Sequence, residues 1–180
     1  MRADKLNVGL ADEKVRWAES IVTLTDAVNK VTGDVFIAAA SVSYYGPFTG
    51  KFRNVLVEEW LAECERLEIP SSDQYNLQTV LGDVVKIREW RAKGLPSDDV
   101  SVNNGILVEK GKSYPLMIDP QLQANKWIKG MENRNDLVVT KMDKLEKELK
   151  MYVPMGQPLL IEDIGEEIDP ILENILTKNI

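Results

Sequence analysis

The chain has 180 residues, of which 44% are hydrophobic and 7% aromatic, a composition that allows a folded domain with a buried core. Its net charge of −7 and pI near 4.8 argue against a nucleic-acid-binding surface, and its apolar runs are too short to cross a membrane. It has no histidine, which excludes Ser–His and Cys–His catalysis and argues against a zinc site. Its single cysteine, Cys64, excludes an internal disulfide and predicts a cytoplasmic location.

The first half of the sequence has the pattern of packed helices. From Leu10 to Val31 apolar residues recur at heptad spacing, which predicts a long helix with a narrow apolar seam. This spacing fits either one amphipathic helix of a bundle or one strand of a coiled coil. The next segment, DVFIAAASVSYY (34–45), is apolar on nearly every face and predicts a buried helix that ends at Gly46-Pro47. Further helices are predicted at Lys51–Leu67, Asn76–Leu81 and Val84–Trp90.

The pattern changes after the turn-like tripeptide Asn103-Asn104-Gly105. A helical stretch from Asp143 to Tyr152 now lies among short apolar runs, and strands that alternate with helices indicate a parallel sheet with helices on its faces. The predicted fold class is therefore α/β, with a helical first part followed by part of a parallel sheet. The predicted strands are Ile106–Val108, Tyr114–Ile118, Leu137–Thr140 and Pro158–Ile161.

The stretch SYPLMIDPQLQANKWIKG has the outline of a phosphate-binding loop, which reads G-x-x-x-x-G-K-[ST] when it is intact. Pro120 replaces the first glycine and has no N–H to donate, and Asn125 replaces the glycine that lets the backbone approach a phosphate. Trp127 replaces the hydroxyl that binds Mg²⁺, so that Lys126 alone is retained. We therefore predict an ordinary strand, turn and helix, with Asp119 or Pro120 near the helix start.

A second candidate site follows the last predicted strand, because an apolar strand that ends in acidic residues is typical of a Walker B motif. Glu162 and Asp163 take the places of the acid that orders Mg²⁺ and of the catalytic glutamate, with the two residue types in reverse order. A shorter second acid would reach an attacking water less well, and no intact phosphate loop accompanies the pair. We therefore predict no catalysis here, and we expect Glu166, Glu167 and Asp169 to cap and solvate the start of the helix around Pro170.

Six runs of the sequence carry a resemblance to a known family: GLADEKVRW, SYYGPFTGKFR, IREWRAKGLPSDD, NNGILV, YPLMIDPQLQANKWIKGME and PLLIEDIGEEIDPILENIL. In this order they are similar to the dynein heavy chain, over the region where the returning strand of the stalk coiled coil enters the fifth AAA+ module of the motor ring. The last run and the segment WLAECERLEIP resemble axonemal outer-arm chains of the gamma type most closely.

The resemblance implies a chain in three parts. Residues 1–48 would form the base of the stalk helix and helices of the preceding module's small subdomain. Residues 49–104 would form a helical connector. Residues 105–180 would form an incomplete AAA+ large subdomain of the P-loop type, with degenerate Walker motifs.

The resemblance also implies that the nucleotide site is lost, because the fifth dynein module does not hydrolyse ATP. The segment would then have no catalytic residue, no metal ligand and no cofactor, while ATP and Mg²⁺ bind in other modules of the parent chain. The degenerate Walker A residues would be Pro120, Asn125, Lys126 and Trp127, and the degenerate Walker B residues would be Glu162 and Asp163.

The role implied by the resemblance is to couple stalk and linker movement in an ATP-driven microtubule motor, whose parent chain is a microtubule-stimulated ATPase. The partners would be the rest of the ring, the stalk, the linker and other axonemal dynein chains, with no nucleic acid and no membrane. The microtubule would be contacted only indirectly, through the stalk tip. The location would be the axoneme of a cilium or flagellum, within the cytoskeleton.

AAA+ sheets have their central strands in the order five-one-four-three-two. Under the resemblance, the strand that lies between Tyr114–Ile118 and Pro158–Ile161 would therefore come from another segment or another chain.

Two other functions remain open at this point. One is a nucleotide-binding ATPase module with a divergent phosphate loop, in which Lys126, Glu162 and Asp163 still work. The other is a stand-alone acidic helical adaptor whose heptad seam binds a partner coiled coil.

Overall fold

The computed structural model describes the backbone of residues 2–177 and the side chains of residues 9–177. The chain forms two compact units, one ending at Leu81 and the other beginning at Gly82. The domain boundaries predicted at residues 48 and 104 stay predictions. The helices are α1 (Arg2–Tyr44), α2 (Gly50–Arg66), α3 (Leu77–Leu81), α4 (Val84–Ala92), α5 (Asp99–Lys110), α6 (Gln123–Glu132), α7 (Leu145–Tyr152) and α8 (Glu173–Leu176). The strands are β1 (Val138–Lys141) and β2 (Leu159–Glu162).

Helix α1 confirms the predicted heptad helix and continues unbroken through Tyr44. Its seam residues Leu10, Trp17, Ile21 and Leu24 are each 59–69% exposed. Burying such side chains is favourable, so an exposed row of them is a surface that another helix could cover. Within the part of the chain that the structure describes, no segment covers this seam.

The segment 34–45 is buried on one side only, so the prediction of burial on nearly every face is wrong. Ile37, Ala38 and Ser41 are buried, whereas Phe36 and Tyr44 are exposed. The reason is that α1 contacts α2 and α3, and these contacts lie along one side of the helix. The apolar opposite side stays accessible in the described chain.

A buried arginine closes the turn between α1 and α2. Arg53 donates from Nε to the carbonyls of Tyr45 (3.1 Å) and Phe48 (2.9 Å). Its guanidinium lies over the Tyr45 ring, 5.1 Å from the centroid, and this ring stacks on Trp60 with the centroids 6.2 Å apart. Burial lowers the pKa of Arg53 from its ordinary value. The single Nε–H is thus shared between two carbonyls that follow the end of α1.

The predicted strand Ile106–Val108 is wrong, because these residues lie inside α5. The helix begins where the Asp98 carboxylate accepts hydrogen bonds from Ser101 N (2.9 Å) and Ser101 Oγ (2.7 Å). Val102 and Ile106, four residues apart, are both fully buried. That spacing places both on one face of a helix, whereas alternate residues face one side of a strand.

The tripeptide that resembles a turn, Asn103-Asn104-Gly105, is also helical. Gly105 is needed there for packing and not for a turn. A Cβ at this position would lie 3.0 Å from the Trp90 ring and 3.2 Å from a methyl of Leu95. The glycine therefore allows α5 to approach α4 closely.

Strands β1 and β2 pair in parallel and confirm the predicted strands Leu137–Thr140 and Pro158–Ile161. The chain between them passes through α7, as a parallel pair requires a crossover. Leu145 and Leu149 of α7 pack with Leu172 in a buried apolar cluster against the sheet. The residues in register are Val138 with Leu159, Val139 with Leu160, Thr140 with Ile161, and Lys141 with Glu162.

The segment Tyr114–Ile118 has no regular secondary structure, so the strand predicted there is not formed in the described chain. Leu116 is 64% exposed and Ile118 is 93% exposed. A strand needs a neighbour for its N–H and C=O groups, and no described strand lies beside this segment. The expectation that the neighbouring strand comes from elsewhere stays a prediction.

We expect the 180-residue chain, prepared alone, to associate through this segment. Exposed apolar side chains such as Leu116 and Ile118 favour contact with another chain, because that contact removes them from water. Changing Leu116 and Ile118 to lysine should therefore convert oligomers to monomers in sedimentation velocity. The matched control changes Val84 and Val85, exposed at the start of α4, to lysine and should leave association unchanged. A monomer in the unchanged chain, or equal loss of association in the control, would contradict this expectation.

Candidate functional site

The turn before α6 is organised by the carboxylate of Asp119. Asp119 Oδ1 accepts a hydrogen bond from Gln123 N (2.9 Å), and Oδ2 accepts one from Asn125 N (2.8 Å). Leu122 closes the turn with a left-handed backbone (φ 57°), and its N–H donates to the Asp119 carbonyl (3.2 Å). The prediction that Asp119 or Pro120 lies near the helix start is confirmed.

This carboxylate lies where a helix offers donors to an anion. The first N–H groups of a helix have no intrahelical acceptor, and bound phosphates commonly use them. Asp119 already engages the N–H groups of Gln123 and Asn125 at the start of α6. Pro120, which lies exposed in the turn, has no N–H to add. A phosphate at this place would have to compete with the chain's own carboxylate.

Lys126, the retained residue of the loop pattern, lies exposed on α6. Its aliphatic stem passes Gly94, since a Cβ at residue 94 would lie 3.8–3.9 Å from the stem carbons. Gly94 has φ +104°, a conformation that favours glycine. Lys126 is thus a helix residue whose stem lies beside the backbone of Gly94.

Trp127 is part of the core of its unit. It is 4% exposed and meets Trp90 edge to face, with the ring centroids 5.8 Å apart and the planes at 72°. Its Nε1 is buried without a hydrogen-bond partner among the described residues. The position at which an intact loop would place a metal-binding hydroxyl therefore holds a buried aromatic ring.

Glu162 at the end of β2 is bound to α6. Its Oε1 accepts hydrogen bonds from Asn125 Nδ2 (2.5 Å) and Lys129 Nζ (2.7 Å). Lys129 first, and then Asn125, hold the pKa of this carboxyl below its usual value. The fold thus brings together one predicted Walker A residue, Asn125, and one predicted Walker B residue, Glu162.

Asp163 forms an ion pair with a different lysine, Lys141. Its Oδ2 accepts a hydrogen bond from Lys141 Nζ at 2.6 Å, and Lys141 lowers the pKa of the carboxyl. Asp163 is highly exposed and adopts a left-handed backbone with φ 55°. The two neighbouring acids, Glu162 and Asp163, are therefore held by cations on different elements, Lys129 on α6 and Lys141 at the end of β1.

Two residues of this site, Lys129 and Asp119, lie outside the Walker motif patterns. Lys129 lies one helical turn after Asn125, and this spacing, which puts both on one face, is a signal that could have found it. The bonds of Asp119 depend on the left-handed turn at Leu122, for which the sequence gives no signal. Of the three acids predicted at the start of the helix around Pro170, Asp169 caps it by accepting a hydrogen bond from Ile171 N (2.9 Å), whereas Glu166 and Glu167 are exposed.

Other kinds of site are not found in the described part of the chain. No group of three or more His, Cys, Asp or Glu side chains is arranged to hold a metal ion there. None of the described helices combines the length and apolarity that a bilayer crossing requires.

Two family models match the chain. One, described as the microtubule-binding stalk of dynein motor, matches residues 1–63, and the other, described as the ATP-binding dynein motor region, matches residues 88–180. Over all of its length the chain is 46% identical to dynein axonemal heavy chain 6 of Homo sapiens. It is 44% identical, over 99% of its length, to the dynein-1-beta heavy chain of the flagellar inner arm I1 complex of Chlamydomonas reinhardtii. It is also 44% identical, over 98% of its length, to dynein axonemal heavy chain 5 of Mus musculus.

The chain spans 4% of the length of each of these relatives. Their identities lie within two percentage points of one another although one is an inner-arm chain, so the outer-arm gamma subtype stays a prediction. The stalk and motor-region matches follow each other along the chain in the order expected from the resemblance, and the second covers more than half of it. The chain therefore belongs to the dynein heavy chain family.

Proposed function

We propose that this chain is a segment of a dynein motor ring in which the stalk base leads into an AAA+ module that does not hydrolyse ATP and serves a mechanical role. The observation that carries the proposal is the Asp119 carboxylate on the N–H groups of Gln123 and Asn125. A nucleotide phosphate needs these same donors, and a negative carboxylate beside them repels it.

A second contact supports a module that keeps its shape without nucleotide. In a working site, Mg²⁺ and phosphate lie between the Walker A helix and the Walker B acid. Here the Lys129 ammonium and the Asn125 amide bind Glu162 directly and tie α6 to the end of β2. Because Lys129 and Asn125 lower the pKa of Glu162, this contact is present at neutral pH and is lost only as the pH falls through that lowered value.

In the parent chain, the segment would couple movement of the stalk to movement of the linker. ATP and Mg²⁺ would act in other modules, and the parent would be a microtubule-stimulated ATPase. The partners would be the rest of the ring, the stalk, the linker and other axonemal dynein chains, with the microtubule contacted indirectly. The names of the relatives, axonemal heavy chains and a flagellar inner-arm chain, support a place in the axoneme of a cilium or flagellum.

The two alternative functions have less support. A working ATPase module would require Asp119 to leave α6 and Glu162 to leave Lys129, and Trp127 offers no oxygen to Mg²⁺. A stand-alone adaptor would require a different account of the motor-region match over residues 88–180.

Photoaffinity labelling of the full-length heavy chain tests the absence of nucleotide. With an azido-ATP analogue and Mg²⁺, we expect labelled peptides from other modules and none from residues 113–132 or 155–165. Labelling elsewhere in the same digest is the internal positive control. Label in residues 113–132 that disappears in Lys126→Ala, but persists in the exposed-lysine control Lys144→Ala, would overturn the proposal.

A further inference from the structure

Helix α1 changes its surroundings at one residue. From Gly9 to Thr32 its residues are exposed, apart from the half-buried Lys30, and Gly33 is the first buried position after Gly9. Gly33 also lies against the loop that follows α2. This residue therefore marks the place where the exposed part of α1 meets the packed part of its unit.

Gly33 leaves no room for a side chain. Its N–H donates to the carbonyl of Pro70 (3.0 Å), a bond directed out of α1. A Cβ at residue 33 would lie 2.4 Å from the Pro70 carbonyl oxygen and 2.7 Å from Ser71 Cβ. Both distances are shorter than a real Cβ contact, so a side chain here would displace the loop.

The next residue, Asp34, binds the same loop through its side chain. Asp34 Oδ1 accepts a hydrogen bond from Ser72 N (2.8 Å), and Asp34 Oδ2 accepts one from Ser72 Oγ (2.6 Å). Two turns further along α1, the buried Ser41 hydroxyl lies 3.3 Å from the hydroxyl of Tyr75. Burial raises the pKa of Tyr75 to about 12, so this hydroxyl keeps its proton and can donate at neutral pH.

The other end of the loop is tied to α2. Ile69 N donates to the carbonyl of Cys64 at 2.8 Å, beyond the last turn of that helix. The loop therefore joins α1 to α2 through hydrogen bonds at both of its ends.

We propose that Gly33 and Asp34, held by Pro70 and Ser72, form a register clamp that prevents α1 from sliding along its axis relative to α2. A slide of about one helical turn would bring Lys30 in one direction or Ile37 in the other under the Pro70 carbonyl, where the structure has room only for a hydrogen atom. It would also separate Asp34 from both of its donors on Ser72. When the exposed part of α1 is displaced along its axis, the packed part therefore moves with it and does not slip past the loop.

Hydrogen exchange at the Ser72 amide in the full-length heavy chain tests the clamp, and it does not depend on motor activity. We expect slow exchange that is the same with and without Mg-ATP. Asp34→Ala removes a charged acceptor, so exchange at Ser72 should become about tenfold faster or more. Gly33→Ala should have the same effect by displacing the loop.

Gly9→Ala is the matched control, because it makes the same change on the same helix at a position with nothing within 4 Å. It should leave exchange at Ser72 unchanged. If Gly33→Ala fails to fold, Asp34→Ala still decides the question. Exchange at Ser72 that is unchanged by Asp34→Ala, or that becomes fast in the unmodified chain when Mg-ATP is added, would overturn the clamp.

Discussion

Replacing Trp127 by alanine is expected to open the region where α6 packs on α4. Trp127 is buried and contacts the Trp90 ring edge to face. Removing a buried aromatic side chain leaves a cavity and costs about 3–5 kcal/mol. This loss corresponds to amide exchange about a hundredfold faster or more in α4 and α6. The measurement is hydrogen exchange in the full-length heavy chain.

Lys126→Ala is the control, since it truncates the neighbouring residue of the same helix on its exposed side. A surface change of this kind alters stability by about 0.5 kcal/mol or less, so exchange in α6 should stay within a few-fold of the unchanged chain. If the amides of α4 and α6 exchange as slowly in Trp127→Ala as in Lys126→Ala, the packing described for Trp127 is wrong.

The same packing bears on any attempt to restore phosphate binding. Trp127→Thr would supply a hydroxyl but would also leave most of the cavity. Asn125→Gly would open the backbone but would remove the amide that binds Glu162. The Asp119 carboxylate would still hold the N–H of Gln123. We therefore expect that a variant able to bind nucleotide must lose the Asp119 carboxylate in addition to the motif changes.

Replacing Ile21 and Leu24 together by alanine is expected to weaken microtubule stimulation of ATP hydrolysis in the full-length heavy chain while basal hydrolysis is retained. Both side chains are exposed on the seam of α1 and contribute nothing to the core of their own unit. If the proposed stalk partner buries them, each truncation costs on the order of 2–5 kcal/mol. Steady-state ATPase rates with and without microtubules give the ratio that should fall.

The control for this variant is the double change of Val15 and Val22 to alanine. These residues are also exposed and apolar on α1, but they lie outside the seam. Stimulation should be normal in the control. Normal stimulation in the Ile21 and Leu24 variant would count against mechanical coupling through the seam.

The elements that the sequence predicts well are those whose pattern repeats. Helix α1 follows from the heptad spacing, and β1 and β2 follow from short apolar runs on either side of a helical stretch. Helix α5 does not, because Gly105 is typical of a turn and its actual role depends on the Trp90 ring fifteen residues earlier in the chain. A local pattern cannot reveal a requirement that comes from packing between elements.

The candidate site divides in the same way. The loss of loop residues at Pro120, Asn125 and Trp127 can be predicted from single positions, since each has a known steric or chemical consequence. The contact of Glu162 with α6 joins residues that lie more than thirty positions apart, and the fold alone creates it. The occupation of the helix start by Asp119 depends on a backbone conformation that leucine seldom adopts.

A structure of the full-length heavy chain with Mg-ATP bound tests the central claim most directly. We predict that the Asp119 carboxylate will lie on the N–H groups of Gln123 and Asn125, with Glu162 on Lys129, while nucleotide occupies other modules. A phosphate at the start of α6 with Asp119 displaced, or Mg²⁺ on Glu162, would contradict the account.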